Sequence, residues 1–216
     1  MNQSYSPETI AAFAELPTAS VADAVEQHGG RGYLSGRIHQ IVAGKVVGPA
    51  VTVREVPDEE ALPPEHALRA IDRSEPGSVI CIDAGSADVA VWGGLMTAGA
   101  VAKGLAGAVL DAAVRDVEEI RRDYGFPVYA RGSVPATTVG RFRTVSLNEP
   151  VVLGEVTVHP GDLIVADSDG VVRVPARHVE SVLAAATEIE TREQEQTRLI
   201  LDSGSLQDGL AKYGRI

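Results

Sequence analysis

The chain has 216 residues, and 30 Asp and Glu against 19 Lys and Arg give a formal net charge of −11. With 44% hydrophobic and 23% charged residues, it has the composition of a folded protein of one domain, or of one domain with a helical appendage, and extensive disorder is excluded. The acidic balance repels phosphate backbones and no stripe of Lys and Arg interleaved with aromatics offsets it, so nucleic acid is not an expected ligand.

The opening MNQSYSPETIAAF has neither the positive flank nor the apolar run of a secretory signal. No window approaches 18 uninterrupted apolar residues, so a soluble, cytoplasmic protein without membrane contact is expected. Pro7, Ile10, Phe13 and Leu16 suggest a first helix, and TASVADAVEQHGG a second, capped by Thr18 or Ser20 and stopped at Gly29-Gly30. VAGKVVGPAVTVREV is β-rich, and PPEHALRAIDRS is helical. PGSVICIDAG reads as a buried strand, because Val79, Ile80, Cys81 and Ile82 are apolar without alternation. Cys81, the single cysteine, is then a buried thiol acting as a small hydrophobe.

AVWGGLMTAGAVAKG fits a helix opening at Gly93-Gly94 and closing at Gly104, and LAGAVLDAAV a second buried strand. VEEIRRDYG fits a short helix ended by Gly125, and FPVYARGSV a third strand. This is βαβ grammar, which implies parallel pairing with a right-handed crossover. After residue 143 short β-runs separated by Gly161-Asp162 and Asp169-Gly170 predict hairpins. From Ala176 to Ser203 the pattern is helical, with a stop near Gly204. The fold class expected is α/β: a central βαβ core, an antiparallel β segment and a C-terminal helix.

Three features of the core bear on chemistry. The amides of Leu95 and Met96, after Gly93-Gly94, would be unpaired donors at a helix start, able to hold a carboxylate. Arg115-Asp116 falls at the carboxyl end of a strand, where α/β sheets bind ligands; Arg offers a planar fork to a carboxylate, and Asp a hard oxygen suited to Mg²⁺ or Mn²⁺. Asp111 ends an apolar strand and, if buried, needs a partner such as Arg115 or a backbone amide. It is also a candidate general base. Lys45, Lys103 and Lys212, the only lysines, are not on strand ends near the Arg-Asp pair, which disfavours a Schiff-base lysine. Asp162, Asp167 and Asp169 lack the spacing of a calcium loop and suit turns. The five histidines are dispersed. Trp92 is either a core anchor or a pocket wall, and Arg131 either a structural ion pair or a reader of a distal carboxylate.

GGLMTAGAVAKGLAGAVLDAAVRDVEEI, with 20 residues between Gly94 and Arg115, resembles the signature of the RraA-like family. That family includes the class II 4-hydroxy-4-methyl-2-oxoglutarate/4-carboxy-4-hydroxy-2-oxoadipate aldolases. LPTASVADAV, FPVYARGSVP, PGDLIVADSDGVVRVP and the final helix extend the resemblance over nearly the whole chain. It implies one swivelling β/β/α domain over 1–216, assembled as a homotrimer or homohexamer with sites between subunits and the helix 176–203 at an interface. It implies a metal-dependent lyase that releases pyruvate from a 4-hydroxy-2-oxoacid and decarboxylates oxaloacetate. Asp116 would bind the divalent cation, Arg115 the pyruvate part and its enolate oxygen, and the amides of Leu95 and Met96, after Gly94, the carboxylate. Glu193 or Glu195 would approach a neighbour's site. Many such aldolases carry an acidic residue where this chain has Gly94. The same family includes regulators that bind a ribonuclease by protein contact; in those the Asp of the pair is replaced, whereas Asp116 is present here.

Overall fold

The computed structural model describes residues 5–214; the first four residues of the segment read for a secretory signal lie outside that range. Two helices, α1 (Pro7–Glu15) and α2 (Thr18–Glu26), precede β1 (His39–Val42), the long β2 (Val46–Pro57) and α3 (Glu65–Arg73). The middle of the chain contributes β3 (Val79–Asp83), β4 (Ala90–Trp92), α4 (Gly94–Ala102), β5 (Gly107–Asp111), β6 (Ala113–Val114), α5 (Val117–Glu119), β7 (Val128–Ala130) and β8 (Gly132–Ser133). Then follow β9 (Phe142–Leu147), β10 (Val151–Leu153), β11 (Val156–Val158), β12 (Leu163–Asp167), β13 (Gly170–Val174), α6 (Val179–Ser203) and α7 (Leu206–Tyr213).

The main sheet runs β1-β7-β5-β3-β2-β12-β13, with β9 also on β2. The neighbours β7, β5, β3 and β2 are parallel, as the βαβ pattern requires, while β12 and β13 are antiparallel. The sheet curls, so that Tyr33, ahead of β1 at one edge, bridges Val172 in β13 at the other. Both faces of the parallel strands are covered, which explains their unbroken apolar runs. Ile80, Ile82, Leu110 and Val128 face α3 and α4, where Ala67, Ala70, Ile71 and Ala100 pack. Val79, Cys81, Val109 and Tyr129 face Val151, Leu153, Val156 and Val158 of the β10–β11 pair. Helices, large sheet and small sheet are thus three layers. Close approach fixes some glycines: a Cβ on Gly48 would sit 2.0 Å from the Gly77 carbonyl oxygen. Cys81 is fully buried, and burial pushes its thiol pKa up, as an inert packing residue requires.

The parallel ladder breaks once. It stops at Asp83 and Asp111, which are in register, and resumes one step later as the short parallel sheet β4-β6-β8. Like charges opposed across strands are unfavourable, and here each carboxylate is engaged by hydrogen bonds. Asp111 accepts from Arg131 Nε, Ser86 Oγ (3.1 Å) and the Gly154 amide (2.8 Å). Asp83 accepts from the amides of Gly85 (2.9 Å) and Val152 (3.3 Å). The two acids therefore dock the β10–β11 hairpin onto the main sheet. Arg131 is a structural ion pair; of the two partners expected for Asp111, a backbone amide is found, that of Gly154, while Arg131 stands in place of Arg115.

Other local expectations are corrected by long-range contacts. Neither Thr18 nor Ser20 caps α2: Thr18 is its first residue, and the carboxylate of Asp167, at the end of β12, accepts from the Thr18 amide (3.0 Å) and hydroxyl (2.6 Å). Ser20 instead donates to Glu190 on α6 (3.0 Å). Asp169-Gly170 does turn the β12–β13 hairpin, but Gly161-Asp162 makes none. There the buried Asp162 accepts from the amides of His159 and Ala176 (3.0 Å each) and passes the chain from the small sheet to the large one. The short helix after Asp116 changes to a π-helical turn over Ile120–Tyr124 before ending at Gly125. The C-terminal helix, after a 3₁₀ turn at Ala176–His178, packs Val179, Val182, Ala186 and Ile189 into this chain's own core. Beyond Gly204 an unexpected helix, α7, folds back with Gly209 against Ile200. No helix among the described residues is long and apolar enough to cross a membrane.

Glu55 on β2 is 3% exposed, and neither of its carboxylate oxygens has a hydrogen-bond partner. Desolvation raises its pKa from 4.5 to about 7. Below about pH 4.5 the group is protonated in both folded and unfolded states and adds no pH-dependent cost. As pH rises the unfolded chain ionises first, so stability falls through about pH 7, by about 3 kcal/mol in all. Glu55→Gln is expected to flatten this dependence and to exceed the wild type in stability at pH 8, read by urea denaturation at pH 5 and pH 8; parallel pH profiles for the two proteins would contradict it.

Candidate functional site

The short sheet β4-β6-β8 delivers the candidate residues. Gly93 follows β4, Arg115 follows β6, and the Arg115 amide donates to the Trp92 carbonyl (3.0 Å), which fixes the two strand ends side by side. The Trp92 indole donates to Thr97 Oγ1 (2.8 Å), whose hydroxyl donates to the Gly93 carbonyl (3.0 Å), locking the first turn of α4. Trp92 also stacks on Phe126 and lines the cavity beside Gly93, so it is both core anchor and wall.

Asp116 adopts a left-handed backbone, φ 59 and ψ 31, uncommon for a residue with a side chain. That bend swings its carboxylate back over the start of α4, where Oδ2 accepts from the Gly94 amide (3.0 Å) and pairs with Arg115 Nε at 3.4 Å. The pair is accessible, with 41% of the Arg115 and 37% of the Asp116 side chain exposed. The next two amides of the helix, Leu95 and Met96, have no acceptor among the described residues, as expected of free N-terminal donors. Arg115 stands between two cavities. One, about 210 Å³, is lined by Trp92, Gly93, Gly94, Leu95 and Met96; the other, about 810 Å³, by Asp116, Glu118, Glu119, Arg121 and Ser133. The Leu95 side chain is 87% exposed at the edge of the first.

Not every candidate from the sequence meets there. Asp111 opens onto a third cavity, with Arg54, Asp83 and Arg131, and is occupied by its three donors. Glu193 and Glu195 are exposed on α6, and Glu195 accepts from Tyr213 (3.4 Å); neither lines a cavity that touches Arg115 in the single chain. No lysine does either: Lys45 bonds the Leu16 carbonyl and pairs with Asp167.

Glu119 was overlooked in the sequence. A Cβ on Gly94 would lie 2.5 Å from Glu119 Oε1, and one on Gly93 2.7 Å from Asp116 Oδ2, so both carboxylates lean onto the backbone of the glycine pair. The signal that could have found Glu119 is its spacing of three from Asp116 at a helix start, which puts both on one face. No group of three His, Cys, Asp or Glu among the described residues forms a complete metal cage. One or two carboxylates with the remaining positions left to water and substrate oxygens suit Mg²⁺ or Mn²⁺, and Asp116 with Glu119 fits that donor set.

Comparison with known proteins identifies relatives of the whole chain. The family model RraA-like (Aldolase/RraA) matches residues 18–173. The chain is 33% identical over 200 residues to a provisionally named 4-hydroxy-4-methyl-2-oxoglutarate aldolase from Halalkalibacterium halodurans, covering 90% of this chain and 89% of that one. It is 30% identical over 148 residues to the 4-hydroxy-4-methyl-2-oxoglutarate aldolase of Thermus thermophilus, with 68% and 79% covered. It is 32% identical over 212 residues to protein DlpA of Legionella pneumophila, covering 96% of this chain but only 34% of DlpA. Among solved structures, an uncharacterized Pseudomonas syringae protein superposes with a TM-score of 0.87 at 29% identity, over 99% of this chain and 97% of that one. Streptomyces coelicolor RraAS2, described as an unusual member of the RNase ES inhibitor RraA protein family, superposes with a TM-score of 0.83 at 29% identity, over 90% and 99%. With its α/β fold, its matched residues and these relatives, the chain belongs to the RraA-like family.

Proposed function

We propose that the protein is a divalent-metal-dependent carbon–carbon lyase that releases pyruvate from a 4-hydroxy-2-oxoacid such as 4-hydroxy-4-methyl-2-oxoglutarate, and that decarboxylates oxaloacetate. The observation that carries this reading is the convergence, at one strand end, of a carboxylate on an accessible bend (Asp116), a guanidinium between two cavities (Arg115) and two free helix amides (Leu95, Met96). Both reactions pass through the same pyruvate enolate. A Mg²⁺ or Mn²⁺ ion at Asp116 would supply the Lewis acidity that stabilises the charge developing on its oxygen.

The chain's own groups do the rest. The Leu95 and Met96 amides hold the substrate carboxylate at the positive end of α4. Arg115 presents its fork to the pyruvate part and stabilises the enolate oxygen as negative charge grows there. The absence of a lysine beside these groups accords with a route that needs no Schiff base. Asp111 was the candidate general base; its hydrogen bonds to Arg131, Ser86 and Gly154 lead us to assign it to structure instead. Sites completed by a neighbour, through Glu193 or Glu195, belong to the same proposal, as does assembly into a trimer or hexamer. The exposed Leu201, Leu206 and Leu210 on the distal part of α6 and on α7 are surface that such assembly would cover. A second reading, a regulator that binds a ribonuclease by protein contact, draws on the likeness to RraAS2.

Pyruvate release, coupled to lactate dehydrogenase, is expected from 4-hydroxy-4-methyl-2-oxoglutarate and from oxaloacetate with Mg²⁺, above spontaneous decay, and is expected to vanish with EDTA. Release from neither substrate would favour the regulator. Asp116→Asn is the informative variant, because Asn tolerates the left-handed backbone and still offers an oxygen to the Gly94 amide; metal-dependent turnover should be lost while the melting temperature stays near that of the wild type. Arg115→Lys should lower kcat by about 100-fold, since the charge remains but the planar fork does not, and a kcat near wild type would take Arg115 out of the chemistry.

A further inference from the structure

We infer that the cavity at the carboxyl ends of β3 and β5, beside β2 and bordered by the β10–β11 hairpin, is a second ligand site. It takes a small dianion, a dicarboxylate or a phosphate, on the guanidiniums of Arg37, Arg54 and Arg131. This goes beyond the lyase reading and does not depend on it. The cavity, about 530 Å³, shares no lining residue with the two that flank Arg115. Its size is that of a small-molecule site.

The acids that line it are already taken up. Asp83 and Asp111 use both oxygens in the hydrogen bonds that dock the hairpin, and Glu155 is held by Arg31 at 2.8 Å. The guanidiniums are not. Arg54 is in register with Asp83 across the parallel ladder, where opposite charges ordinarily pair, yet the two form no ion pair. Neither the Arg54 nor the Arg37 guanidinium meets a carboxylate or another hydrogen-bond acceptor among the described residues. Arg131 gives its Nε to Asp111, and its two Nη atoms make no hydrogen bond among the described residues, although only 19% of the side chain is exposed. Arg31, Arg37, Arg54 and Arg131 thus stand against three carboxylates, those of Asp83, Asp111 and Glu155. In a chain of net charge −11, that excess is a local reversal of sign.

The arrangement suits two negative charges better than one. An Arg fork takes a carboxylate or phosphate through parallel N–H donors, and several forks around one cavity serve both ends of a dicarboxylate or several oxygens of a phosphate. Much of the site is formed in advance. Gly85 and Ser86 both turn through left-handed backbone, each at φ 65, and Ser86 donates to the Asp111 carboxylate that holds Arg131. Only Arg37, on the loop ahead of β1, and Arg54, on β2, have to be ordered by a ligand, which keeps the entropic cost of binding low.

The test is isothermal titration calorimetry on the full chain with succinate, inorganic phosphate and acetate, at constant ionic strength and without divalent cations. Melting curves for every variant separate loss of fold from loss of the site. Saturable binding is expected from succinate, from phosphate or from both, whichever binds naming the anion, with acetate weaker by about tenfold or more. Arg37→Gln and Arg54→Gln are each expected to weaken the dianion by about tenfold, the scale of one charged hydrogen bond. Arg115→Gln is expected to bind it as the wild type does. Loss of binding in Arg115→Gln, with wild-type affinity in the other two variants, would put the anion at the Arg115 site and overturn the inference. Binding of neither dianion, or acetate bound as tightly as they are, would overturn it too.

Discussion

The structure depends on where its parallel sheet is allowed to break. Asp83 and Asp111 face each other in register on the side of the sheet that the β10–β11 hairpin covers. Buried acids at the end of a ladder are tolerated only when their oxygens are taken up. Arg131 and the amides of Gly85, Val152 and Gly154 do this, and in doing so they fasten the small sheet to the large one. The strands then start again as β4, β6 and β8, displaced beyond the break. Gly93 and Arg115 sit side by side because of that second short ladder, so a structural ion pair at Asp111 indirectly sets the place of the candidate chemistry.

The same economy appears at Asp116. One side chain, two residues past the end of β6, accepts from the Gly94 amide at the start of α4 and pairs with Arg115. The left-handed backbone at Asp116 is strain that a residue with a Cβ seldom adopts, and such strain concentrates at functional sites. The π-helical turn that begins at Ile120 lies just beyond Glu119, another local irregularity of the kind found near such sites.

Much of this was legible along the chain, and the reason is physical. Strands buried on both faces give unbroken apolar runs, as in VICID and GAVLD, and helices that end in Gly104, Gly125 or Gly204 announce their stops with left-handed glycines. The Arg-Asp pair and the free amides after Gly94 could be read because both are local consequences of a strand end meeting a helix start. Partners set by folding could not. The cap of α2 comes from Asp167, 149 residues away, the partner of Asp111 lies 20 residues on, and the turn at Gly161-Asp162 links two different sheets instead of pairing its flanks. Glu119 was hidden for a similar reason: RDVEEI shows two adjacent glutamates, and only the fold separates Glu118, paired with Arg121, from Glu119, which lies against Gly94.

Charge links these points to the proposed chemistry. The protein is strongly acidic, and its larger cavity carries Asp116, Glu118 and Glu119 against Arg115 and Arg121. Arg121 is already committed to Glu118 and to the Ile41 carbonyl, at 2.8 and 2.7 Å. That leaves Arg115 and the two helix amides as the local attraction for an anionic 2-oxoacid, with two carboxylates beside them that repel it. On the proposed reading, Asp116 would hold a divalent cation whose charge would offset the carboxylates of that cavity, while Arg115 and the amides of Leu95 and Met96 grip the substrate carboxylate.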